Sequence, residues 1–301
     1  MTTYVVDLNM LQSVDLANLI STEPQARFVL PDVAFVEMSK HEDWRLTMGL
    51  ALNVFGGKTE CIDMSLSVGE AMNEEFASGK PIATIQLLPD DFRQFLRGLV
   101  SELAEKRSGP NVARMDQNFS EIRRELLASD INASGAKQRA LALVQVWLDG
   151  MKPILIKAIR KPNADKLFFL SLVQVNAEEF CRRLLTASGR STDEVSALIQ
   201  CKPMCLRYLY AITRHSLLAV KQGGGIQAMD AAKELNHQLD LDYGIVASYF
   251  DGILTKDRRA KEAYDDLMEI LNTSSEVAAS RVRAGFVELG LIASPDAANT
   301  M

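Results

Sequence analysis

Apolar positions recur along this chain in two rhythms. Short runs rich in β-branched and aromatic residues predict strands at Tyr4-Val5-Val6, Phe28-Val29-Leu30, Glu60-Cys61-Ile62-Asp63-Met64 and Gly252-Ile253-Leu254-Thr255. Between the first three, the spacing turns helical. Leu8-Asn9-Met10-Leu11 starts a helix, Leu16, Leu19 and Ile20 suit a short one over 13–23 closed by Pro24, and Pro31-Asp32 opens another carrying Val33, Phe35, Val36 and Met38. Helical patterns follow over 44–54, ending at Gly56-Gly57, and over 67–76. Strands alternating with helices, without tight hairpin turns, predict an α/β fold with a parallel sheet covered on its faces.

The signal changes after Lys80-Pro81. The apolar run 82–88 fits no element, and the patterns over 92–106, 115–127, 136–148, 154–159, 166–185, 195–199 and 206–220 are all helical. Ser108-Gly109-Pro110, Asn132-Ala133-Ser134-Gly135 and Lys161-Pro162-Asn163 divide them into helices of ordinary length. The chain therefore reads in three parts: a first half of the α/β core over 1–80, a helical insertion over 81–225, and the second half of the core with C-terminal helices over 226–301. Gly223-Gly224-Gly225 reads as a hinge, since neither a preceding strand nor a following Lys-Ser/Thr makes it a phosphate loop. A helix over 226–239 comes next, and Asp242 opens a second, with Ile245, Val246, Tyr249 and Phe250 at helical spacing before Gly252. Past Asp257, helices are expected over 260–271 and 276–289, then a frayed tail from Ser294.

Composition narrows the class. With 301 residues, 48% of them hydrophobic, the chain can bury a large core, and a net charge of −6 excludes a uniformly basic coat while permitting local basic patches. Four cysteines are too few for a disulfide scaffold and read as thiols; Cys201 and Cys205 flank Lys202-Pro203-Met204 with no second pair at zinc spacing. His41, His215 and His237 are scattered and attach to no nucleophile motif. No apolar run has membrane-spanning length and no leader pattern opens the chain, so a soluble cytoplasmic protein is expected.

The acids carry the chemistry. Asp7 follows the first strand and Asp257 the last, and carboxyl ends of strands are where α/β sheets bind ligands. Glu37 lies in an apolar surround between Val36 and Met38, where an unpartnered charge is costly, and Asp242 sits where a helix begins. Singly, Asp7 and Asp242 read equally well as helix caps, Asp257 as a turn residue and Glu37 as the partner of a basic side chain. Together they would repel one another unless divalent cations neutralised them, and an all-oxygen set suits Mg²⁺ or Mn²⁺. Such ions activate water for phosphodiester hydrolysis. Asp240 is the substitute for Asp242, ranked behind it because it stands farther from the expected helix start, and Asp251 reads as a turn residue. Lys256, Arg258, Arg259 and Lys261, with Lys157, Arg160 and Lys161 in the insertion, are the candidate phosphate contacts; solvated helix faces are the plainer reading of the insertion group, and a pair with Glu262 that of the residues beside Asp257.

Val5-Val6-Asp7-Leu8-Asn9, Val29-Leu30-Pro31 with Glu37, Cys61-Ile62-Asp63 with its following helix, and Asp242-Tyr243 through Leu254-Thr255-Lys256-Asp257 together resemble the PIN-domain nucleases. The resemblance covers about residues 1–80 and 226–272. It implies a three-layer α/β/α fold with a short central parallel sheet, here carrying a large all-helical insertion, and a Mg²⁺- or Mn²⁺-dependent endoribonuclease that cuts RNA or, as some relatives do, DNA flaps, with RNA the first choice. It also implies that Asp7, Glu37, Asp242 and Asp257 bind metal, that Asn9 and Thr255 support them, and that a regulatory protein partner exists. The alternative is a non-catalytic scaffold of the same fold that binds protein or RNA through its helices.

Overall fold

The computed structural model describes residues 1–39, 43–128, 133–223 and 230–293. Four strands, β1 (Thr3–Val6), β2 (Arg27–Leu30), β3 (Ile62–Met64) and β4 (Gly252–Leu254), form one parallel sheet in the order β3-β2-β1-β4. Val5 is paired with Val29 on one side and Ile253 on the other. Val5 and Val6 point to opposite faces, yet both are 0% exposed, as are Val29 and Leu30, so helices cover both faces in a three-layer α/β/α arrangement.

The helices are α1 (Leu8–Leu11), α2 (Val14–Thr22), α3 (Asp32–Ser39), α4 (Trp44–Leu52), α5 (Val68–Ser78), α6 (Asp90–Ala104), α7 (Pro110–Ala128) and α8 (Ala133–Gly150). They continue with α9 (Pro153–Ile159), α10 (Lys166–Ala187), α11 (Thr192–Gln200), α12 (Met204–Gln222), α13 (Ala231–Ala247), α14 (Arg258–Asn272) and α15 (Ser275–Glu288). Local chemistry sets their ends. Ser67 and Glu70 form a reciprocal capping box at the start of α5, and Gly79, at φ +69°, ends it in the left-handed conformation that glycine tolerates best. The apolar run 82–88 becomes a 3₁₀ turn at Thr84–Leu87 whose Leu87 carbonyl accepts from the Leu66 N–H, with Leu87 itself fully buried.

The chain divides into two compact units, one of residues 1–136 and 235–264, the other of 137–234 and 265–301. The sequence placed the start of the helical insertion at 81, whereas α6 and α7 belong to the unit that holds the sheet. Charge explains the attachment of α6: Arg93 on α6 binds the fully buried Asp63 of β3 at 2.5 Å, and Arg27 of β2 binds the other oxygen of the same carboxylate at 2.7 Å. In the second unit, α10 packs on α12 and α15, and Lys202 donates to the carbonyls of Ile270, Leu271 and Thr273, capping the carboxyl end of α14.

The expected helix start at Asp242 is corrected. Asp240 and Asp242 both lie inside the continuous helix α13, because Tyr243, Ile245 and Val246 carry the buried face onward and an internal aspartate costs a helix only about 0.5 kcal/mol. His41, Gly224-Gly225, the expected start of the helix at 226 and the tail from Ser294 lie outside the described residues. Among the described residues no helix is long and apolar enough to cross a membrane.

Candidate functional site

The connections out of β1 define where a ligand would sit. The chain leaves β1 to form β2 on one side, while β4, arriving last, pairs on the other side. The crevice beyond the carboxyl ends of β1 and β4 is therefore the topological switch point of the sheet. Asp7 follows β1 there, and Thr255 to Asp257 follow β4.

A polar clasp holds these two segments together. Thr255 Oγ1 donates to Asp7 Oδ2 at 2.5 Å and Asn9 Nδ2 donates to the same oxygen at 2.6 Å. Asn9 Oδ1 accepts from the Lys256 backbone N–H at 2.9 Å, and Thr255 Oγ1 accepts from the Asp257 N–H at 2.9 Å. Asn9 and Thr255 orient one oxygen of Asp7 and fix the turn that carries Asp257. Asp257 in turn caps α14, its Oδ1 accepting from Arg259 N at 2.6 Å and Ala260 N at 3.0 Å. Glu37 is reached from α13, where Tyr243 Oη donates to its Oε2 at 2.7 Å.

Electrostatics separates the two aspartates of α13. Burial first, then the charges of Asp257, Asp7 and Glu37, push the Asp240 carboxyl up to about 7, against a smaller opposing pull from His237. Burial also raises Asp7, with the charge of Asp257 adding to it and the hydrogen bonds from Thr255 and Asn9 working against it. Asp240 is thus the fourth member of the group. Asp242 is two positions on, about 200° around a helix of 3.6 residues per turn, and faces elsewhere. It too is raised to about 7 by burial, but its charged neighbour is Asp32, itself raised to about 6 by burial and the charge of Glu70. Asp242 was the first choice from sequence and Asp240 the second; the charges of Asp257, Asp7 and Glu37 act on Asp240, and that of Asp32 acts on Asp242.

Among the described residues, no three His, Cys, Asp or Glu side chains stand gathered around one point as a bound ion would hold them. Asp7, Glu37, Asp240 and Asp257 offer only carboxylate oxygens, the donor type that a hard cation such as Mg²⁺ or Mn²⁺ takes.

The basic residues divide. Arg258 turns away to Glu262 at 2.7 Å, the surface pair anticipated for it, while Lys256 Nζ lies 3.6 Å from Asp15. Arg259 Nη1 sits 2.7 Å from His237 Nε2; a guanidinium only donates, so the imidazole accepts at Nε2. Lys157, Arg160 and Lys161 belong to the second unit, and Arg160 Nε donates to the Val220 carbonyl. Tyr243 entered the sequence reading only within the Asp242-Tyr243 stretch of the resemblance, without a role of its own. Its spacing of three from Asp240 was the available signal.

The chain matches no protein-family model, no curated protein and no solved structure.

The raised carboxyls have a consequence for stability. An aspartate with a raised folded-state pKa keeps its proton where the unfolded chain has already lost it. For Asp240 and Asp242 the folded state binds extra protons between 3.8 and about 7, so stability falls as pH climbs through that window. Without metal, the melting temperature is expected to be higher at pH 5.5 than at pH 8. Asp242→Asn should raise it at pH 8 and change it little at pH 5.5; a melting temperature independent of pH in both proteins would contradict the assignment.

Proposed function

We propose that the protein is a divalent-metal-dependent nuclease of the PIN type, an endoribonuclease, with Asp7, Glu37, Asp240 and Asp257 as its cation-binding acids. The observation that carries this reading is the clasp that holds Asp7 and the turn bearing Asp257 together at the carboxyl ends of β1 and β4, supported by the charges of Asp257, Asp7 and Glu37 that bear on Asp240. Asp7, Glu37 and Asp257 each accept hydrogen bonds that hold them in place, and the charges of all three bear on Asp240, a repulsion that a cation would relieve.

Each acid has a distinct task in this reading. Thr255 and Asn9 hold Asp7 Oδ2, so that carboxylate's direction is set before any ligand arrives. The amino terminus of α14 fixes Asp257 through Oδ1, and Tyr243 fixes Glu37. Asp240, held near neutral pH, gives up its proton on cation binding, which makes binding pH-dependent. Mg²⁺ or Mn²⁺ bound there would supply Lewis-acid activation of water and of the scissile phosphate. Lys256 and Arg259 flank Asp257 and are the side chains we assign to the substrate's phosphates; Arg258 is secondary because Glu262 occupies it. The preference for RNA over DNA and a regulatory protein partner rest on the resemblance to the PIN nucleases. Cys61, Cys181, Cys201 and Cys205 are thiols rather than disulfides, which fits a reducing compartment, and we place the protein in the cytoplasm.

The test is cleavage of single-stranded RNA by the full chain with Mn²⁺, with EDTA, and by Asp7→Asn and Asp257→Asn. Activity is expected only in the wild type with Mn²⁺. Equal cleavage by all three proteins, or cleavage that EDTA leaves intact, would overturn the reading.

A further inference from the structure

The hydroxyl of Tyr243 lies where several parts of the acid group meet. The residue is 1% exposed, its Oη donates to Glu37 Oε2 at 2.7 Å, and the backbone N–H of Leu8, next in sequence after Asp7, donates to the Tyr243 Oη itself. A phenol carries one proton and two lone pairs, so it serves both neighbours at once. Tyr243 also stands one turn beyond Asp240 on the same side of α13. Phenylalanine would fill this space without burying a hydroxyl. What the hydroxyl adds is direction.

We infer that Tyr243 is the positioning residue for Glu37: braced by the Leu8 N–H, its hydroxyl fixes the angle at which the glutamate presents its carboxylate beside Asp7. A glutamate on a helix has three rotatable side-chain bonds, and a charge-assisted hydrogen bond from a buried, rigid ring removes most of that freedom. Burial, and then the charge of Glu37, raise the phenol's pKa well above its ordinary value, so it remains a donor throughout the working pH range. Groups that orient ligating carboxylates typically contribute about 10–100-fold to metal affinity or activity. Tyr243 touches neither ion nor substrate; it acts through Glu37 alone.

This rests on the metal-dependent nuclease reading. The experiment is a double-mutant cycle of Tyr243→Phe and Glu37→Gln in the full chain, reading Mn²⁺ affinity from thermal stabilisation and kcat and KM from RNA cleavage. Tyr243→Phe keeps the ring and its packing, so it is expected to fold. It should weaken Mn²⁺ binding by about 10-fold or more and lower kcat while KM for RNA stays put. In the Glu37→Gln background the same substitution should cost nothing further. Wild-type Mn²⁺ affinity and kcat in Tyr243→Phe, with only the melting temperature lowered, would reduce the tyrosine to a packing residue. A full additional loss in the Glu37→Gln background would show that it acts by another route. If the wild-type protein gains no stability from Mn²⁺, the metal reading itself falls, and this inference with it.

Discussion

Asp240→Asn is expected to abolish Mn²⁺-dependent RNA cleavage, lowering kcat/KM by more than about 100-fold, whereas Asp242→Asn cleaves near the wild-type rate. The two residues share a helix and a residue type and differ in what they face. Asp240 is coupled to Asp257, Asp7 and Glu37; Asp242 is coupled to Asp32 on the other side. An asparagine at 240 removes the negative charge on which cation binding depends, while keeping size and helix propensity nearly constant. At 242 the same change removes a half-buried charge that opposes folding at pH 8. The pair of variants is thus internally controlled. Loss of activity in Asp242→Asn with retention in Asp240→Asn would reverse the assignment.

Asp63→Ala should destabilise the sheet-bearing unit by about 3–5 kcal/mol, measured by urea unfolding. Asp63 is 0% exposed and receives Arg93 Nε at 2.5 Å and Arg27 Nε at 2.7 Å, so its removal strands two guanidinium groups that are themselves about three-quarters buried. Removing one member of a buried ion cluster costs more than the cluster contributes, because the remaining charges lose compensation in a poorly solvated place, Arg93 retaining its pair with the exposed Asp90. The same variant should release α6, which Arg93 ties to β3. Increased amide exchange over Asp90–Ala104 is the accompanying sign. A change below about 1 kcal/mol would mean that the ion cluster adds little to the packing around it.

The strands were legible because a parallel sheet covered on both faces leaves short, continuous apolar runs, as at Val5-Val6 and Val29-Leu30. Asp7 and Asp257 were legible for the same reason: each follows such a run, and strand carboxyl ends in these folds face the ligand crevice. The ranking of Asp240 and Asp242 was not. It turned on whether a helix begins between them, and Leu239 and Leu241 fit a helix continuing through this stretch as well as one starting after it. Once α13 is continuous, the turn per residue alone sends the two side chains to different sides. The place of α6 and α7 in the sheet-bearing unit was hidden as well, because amphipathic spacing gives which face is buried and not which partner buries it. The pairing of Arg93 with the buried Asp63, 30 residues away, has no signature in local spacing.

The most direct measurement is crystallographic: the full chain soaked in Mn²⁺, with data collected at the manganese absorption edge. An anomalous peak ligated by Asp7 and Asp240, with Glu37 or Asp257 completing the set, is the predicted result. A peak between Asp32 and Asp242, or no peak at the carboxyl ends of β1 and β4, would contradict it.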